Sequence, residues 1–173
     1  YIFSKIEYLE KYRELLISKT ESHKVKILAY CIMNNHAHIL LHFEDVVELG
    51  KYMKIVNSAY AQFYNKCEGR VGYVFRDRYL SEPIKSEIQL YNCISYIHYN
   101  PVKAGLVIYP NKYYYSSYND YINKTGVVDE KVLRYVFGSD YKYREQFDFI
   151  HMTMGEKMTI TGNSKHFAVY RNT

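Results

Sequence analysis

"NNHAHILLHF", residues 34–43, is the stretch on which the reading of this chain turns. Asn34 and Asn35 are turn formers and the pattern then alternates, so a β-strand opens at the histidines directly after a tight turn. Residues i and i+2 of a strand point to one face about 7 Å apart along the chain. His36 and His38 therefore share a face, while Ala37 and Ile39 turn to the core. Two imidazoles so placed can converge on one ion. His42 falls on the same face, but four residues of strand put it roughly 13 Å away, too far to share that ion. An H-x-H pair is also met as two solvated polar side chains, so the spacing alone leaves the chemistry open.

Working outward, "VKILAYCI" (25–32) is rich in β-formers and reads as the antiparallel neighbour of that strand. Upstream, Ser4 and Glu7 make a capping-box pattern, and Leu9, Tyr12, Leu15 and Leu16 keep helical spacing, predicting a helix over 4–20. Downstream, Val47, Met53, Ile55, Val56, Ala59, Tyr60 and Phe63 mark a second helix over 46–66, ending near Gly69. "EGRVGYVFRDRY" (68–79) is a basic, aromatic loop, and "YLSEPIK" (79–85) a short extended run that Pro83 puts at a sheet edge or bulge. Ser86 with Gln89 opens a third helix, which Pro101 is expected to stop. After Gly105 come a tyrosine-rich loop, "YPNKYYYSSY", and two short helical stretches near 129–137 and 140–151, parted by Gly138. The closing "TMGEKMTITGNSKHFAVYRNT" has no assignable pattern.

The 173 residues suffice for one domain with a full core. Lys and Arg number 23 against 18 for Asp and Glu, a net +5 that points modestly to a polyanionic partner. Many of the 22 tyrosines lie among Lys, Arg and Asn, an interleaving that suits base stacking beside phosphate contacts, although most are better read as ordinary core and surface residues. Cys31, Cys67 and Cys93 are odd in number and without C-x-x-C spacing, so free thiols in a reducing compartment are expected rather than a disulfide scaffold. No apolar run reaches the roughly 18–20 residues of a membrane span, and no signal peptide opens the chain, so a soluble protein is expected. The sequence starts at Tyr1 rather than Met, which suggests a missing N-terminal segment.

In the third helix, "SEIQLYNCISYIHYNP", the apolar stripe is Leu90, Cys93, Ile94 and Ile97, while Tyr96 and Asn100 share another face at i and i+4. If that face meets the histidine strand, Asn100 supplies an oxygen ligand and Tyr96 a nucleophilic oxygen beside the ion. The plainer reading makes them surface residues ahead of a helix-ending proline.

"AYCIMNNHAHILLHF", "GRVGYVFRDRYLSEPI", "LYNCISYIHYNPVKAGLV" and "YYSSY", in this order and spacing, resemble the REP-associated tyrosine transposases of the single-tyrosine HUH superfamily over roughly residues 2–140. "YIHYNPVKAGLV" (96–107) is the most specific part. The resemblance implies an α+β fold, with a ferredoxin-like antiparallel sheet, helices packed on one face and short C-terminal helices. It implies a catalytic domain over 1–125 and a helical extension and tail over 126–173. His36 and His38 become the metal ligands and Tyr96 the nucleophile, with Tyr99 as second choice. Asn100 takes the third-ligand place, where relatives often carry Gln. The chain departs from the family at Asn34, where Pro is usual, and in lacking the strand that normally precedes "IF", which would leave the sheet one strand short.

The activity so implied is strand transfer on single-stranded DNA beside a hairpin, at a palindromic repeat or an element end, through a 5′-phosphotyrosine with Mg²⁺ or Mn²⁺. A cytoplasmic, nucleoid-associated location follows, with no membrane partner. Homodimer and monomer both stay open. Arg70, Arg76, Arg78, Tyr79, Lys85 and Lys103, with Tyr73 and Phe75 among them, are the expected DNA contacts. A catalytically idle, domesticated hairpin binder is the alternative, and a water-using nuclease a second rival.

Overall fold

A computed structural model describes residues 1–75, 83–128, 130–138 and 142–160, with 154–160 described by backbone alone. Its fold is α+β, built on an antiparallel pair of strands, β1 (Val25–Ile32) and β2 (Ala37–Phe43). Among the described residues the sheet has these two strands. Helices α1 (Ile6–Ser18), α2 (Val46–Cys67), α3 (Glu87–Lys103), α4 (Tyr118–Asn123), α5 (Glu130–Phe137) and α6 (Tyr143–Ile160) surround it.

β1 is buried at every position except Lys26, so both of its faces need cover. One core joins Val25, Ile27, Tyr30, Ile32, Ala37 and Ile39 to α1 and α2. A second joins Leu28, Ala29, Cys31 and Leu40 to Cys93, Ile94 and Ile97 of α3 and to Val132, Leu133, Val136, Phe137 and Phe147 of α5 and α6. Helices thus cover both faces, not the one expected. The register of β1 against β2 shifts between Ile27 and Ala29, and this bulge reverses which face each later side chain takes. Residues 25 and 27 before it, and 30 and 32 after it, therefore fill the same core.

Beyond β1 the segment "YSS" (115–117) meets it in an isolated antiparallel bridge, Cys31 opposite Ser116. The Ile32 amide donates to the Tyr115 carbonyl (2.9 Å) and the Ser117 amide to the Tyr30 carbonyl (2.9 Å), so the edge of β1 away from β2 is paired there.

Several local expectations need correction. Lys5, not Ser4, is the residue before α1, and no side chain caps that helix. On α2 the buried face is Leu49, Tyr52, Met53, Val56 and Tyr60, whereas Val47 and Ile55 are exposed. Asp45 caps α2 by accepting from the Val47 amide (2.8 Å). Helix α6 extends to Ile160, through part of the closing segment that carries no readable pattern. Most of the extended run expected over 79–85 lies outside the described residues. All three cysteines are free, Cys31 and Cys93 being buried. No described helix is long and apolar enough to cross a membrane.

Candidate functional site

The turn before β2 closes when the Met33 amide donates to the His36 carbonyl (2.8 Å), and the Phe3 amide braces it by donating to the Asn34 carbonyl (2.9 Å). His38 is 4% exposed and pairs with Cys31 across the ladder. With Ala37 and Ile39 committed to the α1–α2 core, strand alternation turns His38 and His42 to the α3 side.

The two imidazoles converge: Nε2 of His36 lies 2.9 Å from Nε2 of His38, with the rings nearly perpendicular. Two cis nitrogens about 2.1 Å from an octahedral ion are about 3.0 Å apart, so the spacing fits a shared ion. Nδ1 of His36 faces the Asn35 carboxamide oxygen at 2.7 Å. Among the described residues no cluster of three or more His, Cys, Asp or Glu gathers here, so any third protein ligand would be of another residue type. His42, by contrast, rests against Tyr135 of α5 with ring centres 4.5 Å apart, consistent with its exclusion on distance.

Helix α3 carries the remaining groups. Ser86 Oγ accepts from the Gln89 amide (3.2 Å) and Gln89 Oε1 from the Lys85 amide (2.7 Å), a reciprocal cap of the expected kind. Pro101 does not stop the helix, which runs on to Lys103. The end comes where the Leu106 amide donates to the Pro101 carbonyl (2.9 Å) and the Gly105 amide to the Val102 carbonyl (2.9 Å). That closure needs a left-handed residue, and Gly105 at φ +70° supplies it without a Cβ clash.

The added residues matter for the site. Lys103, two turns beyond Tyr96 on the same face, places its Nζ 5.7 Å from the Tyr96 ring centre. The half-buried Tyr96 ring meets His38 edge-on, ring centres 5.8 Å apart. Asn100 is 6% exposed and donates its Nδ2 to the Tyr96 carbonyl (2.8 Å), and its Oδ1 is an acceptor with no proton to give. Its burial removes the plain reading of Asn100 as a surface residue.

Tyr99 points elsewhere, its ring 6.1 Å from His151 of α6, and burial raises its phenol above the ordinary value. Beside it, His98 is fully buried in a chain of polar contacts that ties α3 to α6 and β1. His151 Nδ1 donates to the Phe147 carbonyl (2.7 Å), which leaves its Nε2 to accept from His98 Nδ1 (2.9 Å). His98 Nε2 then accepts from the Ser117 hydroxyl (2.8 Å), whose oxygen takes the Tyr30 amide (2.9 Å). Every proton has a partner when both imidazoles are neutral, and burial lowers both pKa values, His151 to about 4.

The structure therefore brings together His36, His38 and Tyr96, with Lys103 over the Tyr96 ring; Asn100 lies one turn along α3 from Tyr96 and is bonded to its carbonyl. Lys85 is exposed ahead of the opposite end of α3. Arg70 stands over Tyr64, which packs on the α1–α2 core, and donates to the Tyr73 carbonyl (3.0 Å). Arg76, Arg78 and Tyr79 lie outside the described residues. Asn35 was legible only as a turn former, and nothing in the pattern marks it as a partner of His36.

Comparison with known proteins places the chain beside transposases. The family model described as "Transposase IS200 like" matches residues 2–100. A Haemophilus influenzae protein named a REP-associated tyrosine transposase is 24% identical over 123 residues, covering 65% of this chain and 70% of its own length. No solved structure matches.

Proposed function

The chain belongs to the IS200-like transposase family, and from that premise we propose that it cuts and rejoins single-stranded DNA beside a hairpin, using Tyr96 as nucleophile. The observation that carries the reading is the convergence of the two Nε2 atoms, 2.9 Å apart, with Tyr96 packed against His38.

The Tyr96 oxygen attacks the scissile phosphorus, the P–O3′ bond breaks, and the products are a 5′-phosphotyrosine and a strand ending in a 3′-hydroxyl. The phenol proton ends on the leaving oxygen. Because the phosphodiester is exchanged rather than hydrolysed, a 3′-hydroxyl attacking the phosphotyrosine restores it with no added energy source. His36, His38 and Asn100 Oδ1 would hold Mg²⁺ or Mn²⁺, an ion suited to nitrogen and oxygen donors, which when bound supplies Lewis acidity and a fixed seat for the phosphate. Lys103 adds a cation on the Tyr96 face and offsets the negative charge that gathers on the phosphate. The edge contact with His38 keeps the Tyr96 ring from swinging away from that seat. Arg70, Arg76, Arg78, Tyr79 and Lys85 would track the flanking strand and hairpin by phosphate contact and stacking.

The test is a nicking assay on labelled single-stranded hairpin DNA with Mn²⁺. Cleavage should vanish in Tyr96→Phe and in EDTA, with the fold intact. Cleavage surviving Tyr96→Phe would point to a water-using nuclease, and hairpin binding without cleavage to an idle binder.

A further inference from the structure

We propose that Asn35 is a positioning residue for His36: its carboxamide oxygen holds the imidazole as the Nδ1–H tautomer and so turns the Nε2 lone pair toward Nε2 of His38. This rests on the metal-site reading above.

A carboxamide oxygen has no proton to give, so at 2.7 Å from Asn35 Oδ1 the proton belongs to His36 Nδ1. A neutral imidazole has a single N–H, which leaves His36 Nε2 unprotonated. That nitrogen is the one standing 2.9 Å from Nε2 of His38. At that distance His38 Nε2–H donates to the His36 lone pair, so an ion entering between the rings has the His38 proton alone to displace and meets His36 already in its ligand form. The same contact fixes the ring about its long axis, so one side chain sets both the protonation and the direction of the ligand.

The plainer role for an asparagine in a turn is to accept a left-handed backbone. Among the described non-glycine residues only Lys24 and Lys124 have positive φ, so Asn35 is not there for its backbone. Alanine meets no left-handed backbone there either. What it would lose is the acceptor. Asn35 is exposed, so water competes for the same Nδ1–H and the effect belongs at the low end of what such outer partners contribute.

Two measurements on the full chain test this, with Asn35→Ala and Asn35→Asp as variants and thermal melting to verify that all fold alike. In the first, long-range ¹H–¹⁵N NMR of the metal-free protein reads the His36 tautomer directly. The Nδ1–H form is expected in the wild type and in Asn35→Asp, and loss of that preference in Asn35→Ala. A wild-type His36 carrying its proton on Nε2 overturns the proposal whatever the metal does. In the second, Mn²⁺ is titrated and free ion followed by EPR. Asn35→Ala should bind roughly tenfold more weakly, and Asn35→Asp, which keeps an acceptor, should recover affinity to the wild-type level or beyond. Equal affinity of Asn35→Ala and wild type overturns the positioning role while leaving the metal site standing. An Asn35→Asp variant as weak as Asn35→Ala overturns it too, since the acceptor would then not be what counts. Wild-type protein with the Nδ1–H tautomer but no Mn²⁺ binding would instead bring down the metal-site reading itself, and the positioning role of Asn35 with it.

Discussion

Acidification from about pH 7.5 to about pH 5 should cost on the order of 2 kcal/mol of stability through His151 alone. Burial between α6 and α3 lowers its pKa from the ordinary 6.5 to about 4. The unfolded chain therefore takes up the proton first as the pH falls. The stabilisation is whole above about pH 6.5 and drains between there and about pH 4, where the loss would reach roughly 3 kcal/mol at 1.36 kcal/mol per unit. His98 is lowered as well and adds in the same direction. The polar chain explains the resistance: protonating His151 Nε2 puts a hydrogen against His98 Nδ1–H with no acceptor between them. Working above about pH 5 keeps most carboxylate titration out of the window, while Asp120, whose pKa burial raises, acts in the opposite sense. Urea unfolding at several pH values measures the effect, with His151→Gln as the comparison that retains an acceptor for His98 but cannot titrate. The wild type should lose stability over this window and His151→Gln should lose much less. Identical pH slopes for the two would refute the neutral-pair account.

Three further outcomes are expected. Gly126→Ala should lower stability by about 1–3 kcal/mol in thermal or urea melts, because an L-residue at that backbone is strained and its Cβ would strike the Asp120 carboxylate; Gly126 sits at φ +62°, and the added atom would lie 2.6 Å from Asp120 Oδ2. Lys103→Met should weaken hairpin binding across sequences and flatten the salt dependence of affinity by roughly 0.7 in log–log slope, read by fluorescence anisotropy, whereas an unchanged slope would remove Lys103 from the phosphate track. Tyr99→Phe should nick DNA like the wild type, since its ring lies toward His151 rather than toward the histidine pair.

Both strands were legible almost residue for residue, because β-formers and alternation need only neighbours along the chain to express themselves. The pairing of His36 with His38 and the shared face of Tyr96 and Asn100 follow from the same two periodicities. The end of α3 was misread because Pro101 is the stronger local signal, yet in the last turn its missing amide matters little and Gly105 is the residue that can close the helix. The far half of α6 escaped because its apolar residues follow no helical stripe. Cover on both faces of the sheet was missed since it is set by tertiary packing, α1 and α2 taking one face and α3, joined by α5 and α6, the other. The His98–His151–Ser117 chain could not be read at all, joining as it does residues 53 and 19 positions apart.

The central claim is that Tyr96 becomes covalently joined to DNA. Peptide mapping by mass spectrometry after reaction with single-stranded hairpin DNA and Mn²⁺ tests it most directly. The account predicts a 5′-phosphonucleotide on the peptide containing Tyr96, absent in EDTA and in Tyr96→Phe; cleaved DNA with no adduct, or an adduct on Tyr99, would contradict it.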